Sequence, residues 1–132
     1  MGRALVDANV IVALYKPGDT LHNKAVEVVS RLKNDGFELN ITNLVKQEIA
    51  TVLSFRVGME LSRKFLKDYL VLIDREIFVD ESIEEVSWQI FKKQDKKGTS
   101  FIDCANMAVI EKYKLDGILT FDEFYPKKVM IQ

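Results

Sequence analysis

Short, unbroken apolar runs separated by amphipathic helical stretches constrain this fold more than any other feature of the chain. Residues 3–6 and 118–121 are such runs, Arg3-Ala4-Leu5-Val6 and Ile118-Leu119-Thr120-Phe121. Strands at 38–41, 77–79 and 128–131 complete the reading. A strand with one face in water alternates apolar and polar residues, whereas one covered on both faces reads as a continuous apolar run. Helical periods fill the intervals, at 9–15, 20–35, 43–56, 59–75, 82–97 and 101–114. Gly36, Gly58 and Gly98 mark stops, and Thr42 or Asn43, Ser82, and Thr99 or Ser100 stand as N-caps. The expected fold is α/β: a three-layer α/β/α sandwich with a mostly parallel, short-stranded central sheet. At 132 residues and 48% hydrophobic content, one domain spanning 1–132 is expected, with a core that needs no staples.

The charge balance excludes a strongly basic nucleic-acid binder. With 19 basic and 20 acidic residues the net charge is -1, so any polyanion must be captured locally. A lone cysteine, Cys104, allows no internal disulfide. The first apolar run is broken by Asp7 and Asn9, unlike a signal peptide or membrane span, so the expected location is cytoplasmic.

Against this background four acids are out of place. Asp7 and Asp122 end apolar runs at the carboxyl ends of predicted strands, where ligands bind in sheets of this kind. Glu48 falls within a helical stripe formed by Leu44, Val45, Ile49 and Val52, while Lys46 and Gln47 take the outward positions. Asp103 opens the last helix. Each acid also has a plain structural use. Glu48 can sit on the rim of its stripe, and Asp103 fits a capping box after Ser100. Asp7 and Asp122 can be turn residues. Together, however, four carboxylates drawn into one place would repel one another and call for a counter-ion. An all-oxygen set without His or Cys fits Mg²⁺ or Mn²⁺, one or two ions, better than softer metals. Asn9 and Thr120 flank the set, and Asn106, one turn past Asp103 on the same face, can hydrogen-bond into it.

These residues resemble the PIN domain. The carrying motifs are Leu5-Val6-Asp7-Ala8-Asn9-Val10, Gln47-Glu48-Ile49, Ser100-Phe101-Ile102-Asp103 and Leu119-Thr120-Phe121-Asp122. Length and element order are similar to the VapC-type ribonuclease toxins of that family. The resemblance implies a metal-dependent endoribonuclease in which Asp7, Glu48, Asp103 and Asp122 are catalytic. Asp7 and Asp103 would be the main metal ligands. Glu48 and Asp122 would complete the cluster directly or through water, with Asp122 counted among the ligands. Asn9 and Thr120 would be secondary. It also implies 5′-phosphate and 3′-hydroxyl products, a homodimer, and silencing by an antitoxin segment that enters the groove. Glu123 stands where such proteins often carry a further acid.

The residues agree on mechanism. His22, the sole histidine, lies far from the acid motifs in sequence, so a histidine pair for 2′-hydroxyl attack is lacking and metal-activated water remains. Cys104 reads as core, and Trp88 and Phe91 as core or subunit contact. The run Lys92-Lys93-Gln94-Asp95-Lys96-Lys97 reads as a solvated helix end, with RNA-backbone contact as the competing use. Tyr69-Leu70-Val71-Leu72-Ile73, apolar all round, must be deeply buried or covered by a partner. Among other functions, a haloacid-dehalogenase-type phosphatase needs a second Asp where Asn9 stands. A receiver domain needs an acid pair and a mid-chain Asp that are not evident. A catalytically silent RNA-binding or assembly module would be expected to have lost some of the acids. An RNA-processing nuclease that is not a toxin shares every feature above.

Overall fold

A computed structural model describes residues 2–131. The described chain runs β1 (Arg3–Val6), α1 (Ala8–Tyr15), α2 (His22–Asn34), β2 (Glu38–Thr42), α3 (Asn43–Arg56), α4 (Met59–Leu72), β3 (Arg75–Ile77), α5 (Glu81–Lys92), α6 (Phe101–Tyr113), β4 (Gly117–Leu119), a 3-10 turn (Lys127–Val129) and β5 (Met130–Ile131). The strands form one five-stranded sheet in the order β3-β2-β1-β4-β5, and every pairing is parallel. The expected three-layer α/β/α architecture is therefore present.

Alternation along β1 divides the core. Ala4 and Val6 point to one face, joined by Leu39 and Ile41 of β2 and covered by apolar residues of α1 to α4. Leu5 points to the other, with Ile118 and Ile77, under Ile83 of α5 and Val109 of α6. Both faces of the strands are thus covered, which is why β1 could not alternate with polar residues. The chain leaves β1 toward β2 on one side and returns through β4 on the other. The strand order reverses at β1, and a crevice opens beyond the carboxyl ends of β1 and β4.

Several element ends differ from the sequence reading, most of them where a specific hydrogen bond wins. Helix α4 stops at Leu72, short of 75, and β3 occupies Arg75–Ile77 in place of 77–79. Asp74 is drawn onto β2 first: its amide donates to Leu39 O at 2.9 Å and its carboxylate accepts from Leu39 N at 2.8 Å. Helix α5 is capped by Asp80, not Ser82, because the Asp80 carboxylate accepts from both Ile83 N and the Ser82 hydroxyl at 3.0 Å. It ends at Lys92 instead of 97; four lysines within six residues cannot all profit from one helix terminus, and Thr99 instead closes a turn onto Lys96 O. The first half of the strand expected at 128–131 is the 3-10 turn. Strand β4 ends at Leu119 because side chains capture the next amides: Asn9 Oδ1 takes Phe121 N, and Thr120 Oγ1 takes Asp122 N.

Gly36 terminates α2 with φ 81°, as expected of a left-handed stop. Cys104 is core. The apolar segment at the end of α4 is not deeply buried throughout. Tyr69 and Ile73 are, but Leu70 is 87% and Val71 83% exposed. Among the described residues, no helix is long and apolar enough to cross a membrane.

Candidate active site

Asp7 leaves β1 directly at the crevice and serves as N-cap of α1. Its Oδ1 accepts from Ala8 N at 2.8 Å. Its Oδ2 accepts from the Thr120 hydroxyl at 2.9 Å, with the Asn9 amide nearby at 3.5 Å. The side chain is nearly sealed from solvent, at 4% exposure. Burial pushes its carboxyl up from 3.8 to about 6. The hydrogen bonds from Thr120 and Ala8 oppose that rise, and the charges of Asp103 and Asp122 add to it.

Thr120 is the hub of this corner. Its hydroxyl proton goes to Asp7, while its oxygen accepts from Asn9 Nδ2 at 3.2 Å and from Asp122 N at 2.9 Å. Asn9 in turn accepts from Phe121 N at 3.0 Å. The start of α1 is thereby stitched to the loop after β4. Asp122 itself is exposed, and its Oδ1 accepts from Phe124 N at 3.1 Å, closing a small side-chain turn.

The other two acids come from opposite layers. Glu48, on α3, stands half-buried at the edge of its apolar stripe, midway between the two uses its sequence position allowed. Burial raises its carboxyl first, followed by the charges of Asp7 and Asp103. Asp103 lies in the first turn of α6, from the far side of the sheet. Its amide donates to the Ser100 hydroxyl at 3.2 Å, so the capping half of the expected box forms. Its carboxylate Oδ1 accepts from the Tyr125 hydroxyl at 3.0 Å. Burial raises this carboxyl above the ordinary range, held back by Tyr125, the Ser100 backbone N–H and the Lys96 charge, with Asp122 working the other way.

Asp7, Glu48, Asp103 and Asp122 all line one cleft of about 410 Å³, together with Asn9, Asp19, Arg56 and Ser100. Asp7, Asp103 and Asp122 each raise the carboxyl of at least one other acid, yet among the described residues no three carboxylates close into a finished metal cage. All protein donors at the cleft are oxygens apart from Arg56 and amide nitrogens, a set matched to hard divalent cations and to phosphate. Asn106 is fully buried and reaches the site at one remove: its Nδ2 donates to the Tyr125 hydroxyl at 3.0 Å. Glu123 lines a different cavity, between α2 and the β4–β5 edge. His22 does not line the cleft, and its Nδ1 lies 2.9 Å from Ala13 O.

The sequence reading missed Asp19, Arg56 and Tyr125. Asp19 sits in the Pro17-Gly18 turn, where an acid is unremarkable. Arg56 follows Glu48 and Val52 at i+4 steps, a signal that was available. Tyr125 carried no signal beyond an aromatic residue shortly after Asp122.

Comparison with known proteins bears on the family and the fold. A PIN domain family model matches residues 4–128. Ribonuclease VapC6 of Methanocaldococcus jannaschii is 25% identical over 96% of this chain and 93% of its own length. The crystal structure of Mycobacterium tuberculosis VapC20, described as a Sarcin-Ricin loop cleaving toxin, superposes with a TM-score of 0.79 at 25% identity, covering 92% of this chain and 91% of that one. VapBC2 from Rickettsia felis, bound to a promoter DNA fragment, shares the fold at a TM-score of 0.69 and 12% identity, over 98% and 97% of the two chains. By sequence family and by architecture, this chain belongs to the PIN domain family.

Proposed function

We propose that this protein is a divalent-metal-dependent endoribonuclease of the VapC type, the toxin of a toxin–antitoxin pair acting in the cytoplasm. One observation carries the reading. Four acids from β1, α3, α6 and the loop after β4 face a single cleft at the switch point of the sheet, in an excess of negative charge that the protein itself does not neutralise. The likeness to VapC6 and VapC20 supports RNA as the substrate.

In this reading Asp7 and Asp103 are the main ligands of Mg²⁺ or Mn²⁺, with Asp122 as a further ligand and Glu48 completing the set directly or through water. A bound divalent cation lowers the pKa of water and neutralises charge on the scissile phosphate. The residues of the chain supply position. Thr120 and Ala8 N hold Asp7 in one rotamer, and Asn9 fixes the loop that presents Asp122. Arg56 is the one cationic side chain among the described residues lining the cleft, and it receives a phosphate of the RNA strand. Lys96, near enough to Asp103 to stabilise its charge, extends the cationic rim. Water attacks phosphorus, the bond to the 3′-oxygen breaks, and 5′-phosphate and 3′-hydroxyl ends result. Histidine acid–base chemistry has no support, since His22 points at a backbone carbonyl.

The partners follow from the same reading. An antitoxin segment occupies the cleft in the silent state; a toxin–antitoxin complex from Klebsiella pneumoniae shares the fold. A homodimer covers the apolar side of α4, where Met59, Leu66 and Leu70 fall on one stripe and stand exposed beside Val71.

The deciding experiment is cleavage of single-stranded RNA by purified protein with Mg²⁺ or Mn²⁺, with EDTA, and with Asp7→Asn and Asp103→Asn. Activity is expected only in the metal-loaded parent, with the variants folded but inactive. Cleavage that survives thorough chelation, or Asn variants as fast as the parent, refutes the proposal.

A further inference from the structure

We infer that Tyr125 is a positioning residue for the proposed metal site: it fixes the Asp103 carboxylate through a one-way hydrogen-bond chain that starts at Asn106. The inference rests on the proposed role of Asp103 as a ligand.

The direction of the chain follows from what each group can donate. The phenol oxygen lies 3.0 Å from Asn106 Nδ2 and 3.0 Å from Asp103 Oδ1. An ionised carboxylate only accepts, so the single phenolic proton belongs to Asp103. The phenol oxygen must then accept from the Asn106 amide, which turns the nitrogen of that amide toward it. Both ends of the chain stand on α6, three residues apart and on the same face, so the helix holds them at a set distance. Tyr125 comes from a different segment, 22 residues on from Asp103, and bridges them. Its ring is 2% exposed and packed with Leu5, Ile118 and Val109, so the hydroxyl has little room to wander. With Oδ1 held by the phenol, the Asp103 carboxylate that lines the cleft is fixed in orientation.

A purely structural use does not account for this hydroxyl. Phenylalanine fills the same apolar space without burying a hydroxyl that must be hydrogen-bonded. Partners of this kind orient ligands at metal sites, and their loss typically weakens metal affinity about 10–100-fold.

The test is direct Mn²⁺ binding, followed by electron paramagnetic resonance of the free ion, on the full chain. Tyr125→Phe is expected to bind Mn²⁺ about ten-fold more weakly. Its RNA cleavage should fall at limiting Mn²⁺ and recover toward the parent at saturating Mn²⁺, a rescue that a packing defect would not show. Asn106→Ala, which leaves the phenol in place but unaimed, should weaken Mn²⁺ binding in the same direction, and it serves if Tyr125→Phe does not fold. Asp103→Asn separates the two levels of the argument. If it loses Mn²⁺ while a folded Tyr125→Phe or Asn106→Ala binds as the parent does, the positioning role is overturned and the metal reading stands. If Asp103→Asn itself binds Mn²⁺ as tightly as the parent, the metal reading falls and this inference with it.

Discussion

Replacing Asp7 with Asn should remove a large part of the pH dependence of stability in the metal-free protein. Burial carries the Asp7 carboxyl from 3.8 to about 6, a difference worth about 3 kcal/mol. The folded state therefore keeps a proton on Asp7 at pH values where the unfolded chain has lost it. Stability from this group is fully present below about 3.8 and is lost as pH rises through about 6. Asn cannot ionise, so the parent should lose about 3 kcal/mol relative to Asp7→Asn between about pH 4 and pH 7. Urea unfolding of both chains in chelating buffer measures it. The difference between them reports Asp7 together with its coupling to Glu48 and Asp103, whose raised carboxyls act with the same sign. Any fixed loss from the Thr120 hydrogen bond shifts one curve bodily and does not change its slope. Restoring Mn²⁺ near neutral pH should then stabilise the parent, by about 2.7 kcal/mol at a hundred-fold excess over Kd, and leave Asp7→Asn almost unmoved. Parent and variant curves that stay parallel across this range would refute the claim that Asp7 is forced to ionise in a desolvated place.

Three further outcomes are expected. Arg56→Ala should raise KM for RNA roughly ten-fold, a charged hydrogen bond being worth about 1.5 kcal/mol, with kcat little changed and a shallower salt dependence of binding; steady-state kinetics at several salt concentrations check it. Leu70→Lys with Val71→Lys should convert the proposed dimer to monomer in light scattering without loss of helix content, since both side chains are exposed in the single chain. Gly117→Ala should cost stability toward the upper end of about 1–3 kcal/mol, read by urea denaturation, because a methyl group there would run into the Val129 carbonyl oxygen that brings the β5 edge against β4.

The parts of the fold legible in the sequence were those set by burial. Ala4-Leu5-Val6 is apolar on both sides because helices cover both faces, and that alone announces a parallel sheet. Element ends were less legible, because they are decided by single long-range hydrogen bonds. Nothing near Asp74 in sequence reveals that Leu39 will claim it, or near Phe121 that Asn9 will. The acids were legible for the opposite reason. Asp7 and Asp122 interrupt apolar runs, and Glu48 interrupts a stripe, so each breaks a pattern that burial would otherwise impose. Tyr125 breaks no pattern: it satisfies the core with its ring and the site with its hydroxyl, and only coordinates separate the two.

The pairing of β1 with β4 sets a timetable for the cleft. Ala4 lies opposite Gly117, so the central strand, synthesised well before β4, waits for it before its second neighbour arrives. A nascent chain that ends at α5 already carries Asp7 and Glu48 but neither Asp103 nor Asp122, and it lacks Thr120 to hold Asp7. Closing such distant pairs is slow compared with forming local helices. The acid cleft is therefore complete only once α6 and β4 are in place, and a polypeptide truncated before them is left without it.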